Sequence, residues 1–286
     1  MCITFIFNNP NLDAKYRLII LNNRDEHIDR PTGELEWRNG ILGGIDEQDP
    51  ARGTWLGMNA QGNIGNILSI TQPAATKKAE APSRGKIPSN LLRGNLSAKE
   101  YCDELAKVGT QYNGFQFLAF ERSEDKHYNM YSVTNMYVDK VETVAWPKGA
   151  VVISNSPPAT PYQKVLYGKD RLDKFVENLT DDMAPEDIID KLLDIGCDRT
   201  IVSPDPQYCL QTGCDDAFCE PFSSIFISLP PSRGVRYGTR SQSIIIVDND
   251  DNVTYFEKRM VECPAVIDEA KWSQKTVNFK ISPRSN

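Results

Sequence analysis

The chain has 286 residues, 40% of them hydrophobic and 25% charged, enough apolar material for a substantial buried core. A net charge of −7 leaves no surplus of Lys and Arg to neutralise phosphates, which excludes nucleic acid as the main partner. No run approaches the roughly 18 apolar residues needed to cross a bilayer, so a transmembrane helix is not expected.

In chain order, CITFIF (2–7) reads as a first strand that meets Asn8, Asn9 and Pro10 at once. It carries no basic leader, signal-length apolar stretch or cleavage site, so an intracellular, cytosolic protein is expected. YRLIIL (16–21) is the second strand, and the polar cluster Asn22-Asn23-Arg24-Asp25-Glu26 reads as its end. ILGGI (41–45), TWLGM (54–58) and NIGNILSI (63–70) follow as strands. Residues 72–90 read as a mobile loop, and the cations of 77–93 (Lys77, Lys78, Arg84, Lys86 and Arg93) as solvated charge. Tyr101, Leu105 and Val108 stand at helical spacing within 98–108. After strands FQFLAFE (115–121) and AVVIS (150–154), amphipathic spacing predicts helices over 162–178 and 185–195, the latter opening on Pro185, Glu186 and Asp187. Residues 196–222 read as a second loop, followed by strands SSIFISL (223–229), QSIIIVD (242–248) and NVTYFEKR (252–259). Strands of one character continue on both sides of each loop, so one domain over 1–286 is expected. Short turns between many strands predict antiparallel sheets with a few helices on their faces, an α+β fold.

Seven cysteines, an odd number without a signal peptide, suggest reduced thiols. Four fall between 197 and 219, but without a Cys-x-x-Cys pair or a nearby His they do not read as a zinc site. Cys2 is open to two readings. It is a small apolar residue starting a buried strand, or, once Met1 is removed, a nucleophile whose own α-amine serves as base. An Arg such as Arg24 beside the thiol would lower its pKa, and an Asp such as Asp25 would orient the amine. Asn155, at the end of AVVIS, is suited to donate to an oxyanion, and Asn66, a polar interruption of NIGNILSI, to supply a second donor. Arg240, entering QSIIIVD, is placed to meet Asp25 or a substrate carboxylate. Gly53-Thr54-Trp55-Leu56-Gly57 reads as a close-packed strand with a structural Trp.

Together these segments resemble the Transport and Golgi organisation protein 2 family, also called NRDE-domain proteins. The matching pieces are Met1-Cys2, Asn23-Arg24-Asp25-Glu26, Arg30-Pro31, Gly53-Thr54-Trp55-Leu56-Gly57, Tyr112-Asn113-Gly114-Phe115, Ser154-Asn155, Tyr237-Gly238-Thr239-Arg240 and Phe256-Glu257-Lys258-Arg259. The family resembles the N-terminal nucleophile (Ntn) hydrolases, which implies a four-layer αββα sandwich of two antiparallel sheets. It implies Cys2 as nucleophile, Arg24 and Asp25 tuning its thiol and amine, Asn66 and Asn155 as the oxyanion hole, and Arg240 closing the polar network. In the amidase pattern the Arg and Asp are not adjacent as they are here. Adjacent strand residues point to opposite faces, so only one is expected to reach Cys2 unless the strand has ended.

The family is associated with mobilising haem from haem-rich organelles, with Golgi organisation and with mitochondrial lipid metabolism. The resemblance therefore implies haem as candidate cargo, no catalytic cofactor, and a cytoplasmic protein associated peripherally with mitochondria or Golgi. His27 and His127 are the candidate axial ligands, and Cys263-Pro264 is a Cys-Pro dipeptide of the haem-responsive kind. Two further readings stand beside haem trafficking: a Cys2-dependent amide or thioester hydrolase, and a binder of acyl-CoA or another lipid in the same cleft without turnover.

Overall fold

The computed structural model describes residues 1–230, 233–264 and 266–282. Its strands are β1 (Ile3–Asn8), β2 (Tyr16–His27), β3 (Thr32–Arg38), β4 (Ile41–Asp46), β5 (Leu56–Asn59), β6 (Ile64–Ser69), β7 (Phe115–Arg122), β8 (Tyr128–Thr134), β9 (Thr143–Trp146), β10 (Gly149–Ile153), β11 (Tyr237–Asp248), β12 (Asn252–Glu262) and β13 (Lys271–Lys280). The α-helices are α1 (Lys86–Arg93), α2 (Ala98–Val108), α3 (Gln163–Glu177), α4 (Pro185–Gly196), α5 (Pro206–Thr212) and α6 (Asp216–Cys219). One sheet runs β10-β1-β2-β11-β12-β13 and the other β3-β4-β5-β6-β7-β8-β9, with antiparallel pairing throughout.

Strand alternation sorts the apolar side chains into three cores. Ile6, Leu18, Ile20 and Ile245 from the first sheet meet Leu42, Leu56, Leu118 and Phe120 from the second. On the first sheet's outer face, Phe5, Ile19, Leu21 and Ile244 pack against Leu172 and Phe175 of α3 and Ile188 and Leu192 of α4. Phe115, Phe117 and Val133 on the second sheet's outer face take Ile87 and Leu91 of α1 and Cys102 and Leu105 of α2. The layers run helix, sheet, sheet, helix, the αββα sandwich that the resemblance implied. Helix α2 starts on a capping box, Ser97 with Glu100. Among the described residues no helix is long and apolar enough to cross a membrane.

Strands β3, β8, β9 and β13 are not among the expected elements, and four stretches that were read take another form. Strand β2 does not end at Leu21 but runs through Asn22-Asn23-Arg24-Asp25-Glu26 to His27, because β11 pairs with it along that length. SSIFISL forms no extended strand: Ser228 alone bridges to Gly238. Its backbone groups are met piecemeal, Phe226 N–H by Asp198 O at 2.8 Å, Ile227 O by Thr239 N–H at 2.8 Å and Ser224 O by Lys164 Nζ at 3.0 Å. The stretch read as a loop over 196–222 holds α5 and α6, and α1 begins inside the loop expected over 72–90.

Candidate functional site

The pairing of β1 with β2 sets the site. Ile3 stands opposite Asn23, so one step further places residue 2 beside Arg24 and residue 1 beside Asp25. Alternation then assigns the faces. Cys2 packs on the core between the sheets, where the Arg24 guanidinium lies 4.4 Å over the Trp55 ring. Met1 packs on the helix side, and Asp25 faces the same way, accepting from Thr239 Oγ1 at 2.6 Å. At this end of the sheet both faces open into one cavity of about 780 Å³, lined by Cys2, Arg24, Asp25 and Asn155 among others. Both Arg24 and Asp25 therefore reach it, although β2 has not ended.

Burial decides the electrostatics. The Cys2 thiol is pushed up by desolvation, against the Met1 ammonium, which pulls it down; Arg24 pulls the same way but less. The thiolate-favouring effect expected of Arg24 is thus overridden. The thiol's partner is a backbone carbonyl, Asp25 O at 3.7 Å. The Met1 amine lies 3.3 Å from Asp25 Oδ2 and donates to the Tyr237 hydroxyl, which in turn donates to Asp25 O at 3.1 Å. Burial lowers the pKa of this amine, and Asp25 opposes the change. Behind it, Lys164 of α3 is wholly buried, and its Nζ donates to Met1 O, Phe222 O and Ser224 O at 3.0–3.2 Å.

The two asparagines differ. Asn155 follows β10, lines the cavity and donates one Nδ2 hydrogen to Ser69 O; its Oδ1 is buried without a partner. Asn66 lies one layer deeper in a fully buried relay. Asn22 Nδ2 donates to Thr4 Oγ1, Thr4 Oγ1 to Asn66 Oδ1, and Asn66 Nδ2 to Trp55 O, each at 2.9 Å. The relay ties one sheet to the other, and Asn66 is not among the residues lining the cavity. Nor is Arg240, the extra residue of a β-bulge where Asp25 pairs with Thr239 and Arg24 with Ser241. The bulge turns it away from Asp25; its guanidinium donates to Arg30 O, and burial, then Arg24 and Arg259, hold its pKa at about 10.

The three candidate haem ligands are dispersed. His27 stands at the cavity wall, its ring edge-on to Tyr237 at 5.5 Å. His127 sits at the turn before β8, its carbonyl accepting from Ser123 N–H at 2.8 Å. Cys263 packs beside Ile28, Met260 and Ile267 below the end of β12. Among the described residues no three His, Cys, Asp or Glu side chains gather as metal ligands would.

The sequence model of the Transport and Golgi organisation 2 family matches residues 1–262, nearly the whole chain. The protein belongs to that family. It is 30% identical over 290 residues to the Transport and Golgi organization 2 homolog of Mus musculus, covering 98% of this chain and 99% of the mouse protein. The Homo sapiens homolog is similar to the same degree over the same span, and the Drosophila melanogaster protein is 26% identical over 273 residues, 91% of this chain and 92% of its own. In fold it is similar to the C2A mutant of conjugated bile acid hydrolase from Clostridium perfringens, at a TM-score of 0.50 and 12% identity, over 100% of this chain and 99% of that one. The αββα layering here is accordingly the Ntn-hydrolase architecture.

Three residues of this family member's site were not singled out from sequence. Lys164 carried a signal, since 164, 168, 172 and 175 share the buried stripe of α3. Arg84, read as solvated loop charge, is half-buried in the cavity wall. Trp55, read as structural, lines the same cavity under Arg24; nothing in the sequence could set it there, because Arg24 lies in β2 of one sheet and Trp55 just before β5 of the other.

Proposed function

We propose that the cavity receives an acyl compound, and that Cys2, with Met1 removed, is the nucleophile of its hydrolysis. The observation that carries this reading is the convergence of Cys2, Arg24, Asp25 and Asn155 on one cavity. In the processed chain the α-amine of Cys2 takes the thiol proton while sulfur bonds to the acyl carbonyl carbon. The second Nδ2 hydrogen of Asn155 is free to meet the developing oxyanion. The ammonium then protonates the departing amine or thiol, leaving a thioester that water hydrolyses with the amine as base. The Asp25 carboxylate, fixed by Thr239 Oγ1 and 3.3 Å from the Met1 amine of the unprocessed chain, stands one residue along to receive the new amine of Cys2. Hydrolysis is also the reaction class in the name of the solved protein with a similar fold. A panel of acyl amides and acyl thioesters assayed with wild type and Cys2→Ala tests the proposal, with the N-terminal peptide weighed in the same preparation. Turnover that is lost in Cys2→Ala supports it. Turnover that survives removes Cys2 as nucleophile, and none from a chain shown to lack Met1 leaves binding of acyl-CoA or another lipid without turnover.

A second reading, haem carriage between organelles, draws support from His27, whose imidazole stands at the wall of a cavity within the usual size range for cofactors. Haem titration following the Soret band separates the two. Saturable binding that weakens in His27→Ala supports carriage through this residue, and an unchanged spectrum removes it.

A further inference from the structure

The charges lining the cavity are unevenly matched. Arg30 is held by Asp46, with Nε and Nη2 at 2.9 and 2.7 Å from one oxygen. Arg24 has Glu26 at 3.6 Å and the Trp55 face. Asp49 is taken by the Ser83 hydroxyl. Arg84 is different. Among the described residues its guanidinium has one hydrogen-bond partner, a neutral carbonyl, Gly114 O at 2.7 Å, and no carboxylate within ion-pair distance. Desolvation lowers its pKa, Arg30 adds to the effect, and Glu26 and Cys2 are near enough to oppose it. A guanidinium partly withdrawn from water into a ligand-sized cavity, with Glu26 acting on it only at a distance and no carboxylate among the described residues in direct contact, is better satisfied by an anion that arrives with the ligand.

The rest of the wall suits an apolar ligand body. Tyr208, Phe218 and Tyr237 line it around Phe222, whose ring lies 5.7–5.8 Å from each of theirs. The cations come from β2, the segment after it and the loop into α1, and the aromatic rings from α5, α6, the turn Glu220–Phe222 and the start of β11.

We infer that Arg84 is a specificity-determining residue that pairs with a carboxylate or phosphate on the ligand, so that the cavity selects anionic acyl compounds over neutral ones. The inference rests on the reading of this cavity as the ligand site but not on turnover, and its test is therefore made on Cys2→Ala protein by calorimetry. Decanoate, decyl phosphate and decanol share one chain length and differ in head-group charge. At least one of the two anions is expected to bind about tenfold more tightly than decanol, the worth of one charge-assisted pair, and the tighter of the two identifies the anion. Arg84→Gln is expected to abolish the preference while leaving decanol binding unchanged, and Arg84→Lys to restore most of it. Equal affinity for anions and decanol, a preference that survives Arg84→Gln, equal loss of decanol binding in that variant, or no binding by any of the three would each overturn the inference. Hydrolysis of neutral substrates through Cys2 would stand untouched by any of these results.

Discussion

Gly53 and Gly85 offer an asymmetric test of how the cavity wall is held. The backbone of residue 53 passes so close to that of residue 85 that a Cβ on Gly53 would lie 2.3 Å from Gly85 C and O and 2.6 Å from its Cα. These are backbone atoms with no rotamer to yield, so the two segments must part by about 1 Å to restore ordinary contact. Parting them also breaks the bond from Thr54 N–H to Gly85 O, 3.1 Å long. Overpacking costs about 1–3 kcal/mol and the hydrogen bond about 1, against about 0.4–1 returned by the less free unfolded chain, so Gly53→Ala should lose roughly 1–3.5 kcal/mol. The reciprocal change meets a different environment. A Cβ on Gly85 finds its nearest atom, Gly53 Cα, at 3.2 Å, and residue 85 has helical dihedrals of −63° and −17° that alanine accepts. Reduced freedom of the unfolded chain returns about 0.4–1 kcal/mol, which offsets the mild crowding and leaves Gly85→Ala near neutral. Urea denaturation of both variants reads the difference as a shift in midpoint at constant slope. Equal costs for the two substitutions, or a Gly53→Ala loss under about 0.5 kcal/mol, would refute the reasoning. Gly85 adjoins Arg84, so the same displacement should also weaken whatever binding Arg84 provides.

Two further outcomes follow from burial. Because desolvation dominates at Cys2, iodoacetamide labelling of its peptide, followed by mass spectrometry, should reach half its plateau rate above about pH 8.5, the ordinary thiol value; a midpoint below pH 8 would mean that the cations win after all. Glu257 is buried with Oε2 on Leu35 N–H at 2.8 Å and Oε1 unpartnered, and desolvation raises its pKa against that bond, Arg259 and Lys275, with Glu34 adding to the rise. A carboxyl whose folded pKa exceeds its unfolded one gives its full stability below the unfolded value, near 4.3, and loses it as pH rises through the folded one. Glu257→Gln should therefore be more stable than wild type at pH 7.5, with the gain vanishing towards pH 4; a deficit of equal size at both pH values would contradict this.

The parts of the fold legible in the sequence are those where local chemistry and tertiary demand agree. CITFIF and QSIIIVD lie in strands buried on both faces, and 98–108 and 185–195 carry one apolar face each, so periodicity found them. The β13 segment KWSQKTVNFK was missed because an edge strand alternates between exposed and half-buried positions and presents mostly polar residues. SSIFISL has every local mark of a strand but no extended partner, since its carbonyls are spent on Lys164 and Thr239. Cys2, Asp25 and Asn155 stood out because each is a polar or reactive residue at the edge of an apolar run. Arg84 and Lys164 did not, because a cation reads as solvated until the fold shows what covers it.

The adjacency of Arg24 and Asp25 shows how a local rule can be right and its consequence wrong. Neighbours in a strand do point to opposite faces, and these two do so with β2 still intact through His27. The residues they serve are neighbours as well. An antiparallel pairing presents residues 1 and 2 with the same alternation in reverse, so each member of one pair meets one member of the other. The sheet then separates two chemistries, thiol with guanidinium between the sheets and amine with carboxylate on the helix side. Because the two faces join only at the strand ends, Asp25 is spared for the amine and Arg24 turns instead to Trp55 and Glu26. A one-residue slip of β1 against β2 would place the thiol beside the Asp25 carboxylate and Met1 beside Glu26 or, in the other direction, the Met1 amine beside the Arg24 guanidinium and the thiol beside Asn23; either slip undoes the present pairing, and a carboxylate at the thiol disfavours thiolate. The polar relay from Asn22 through Thr4 and Asn66 to Trp55 O can form in one register only, which gives Asn66 a role in the site without its touching the cavity.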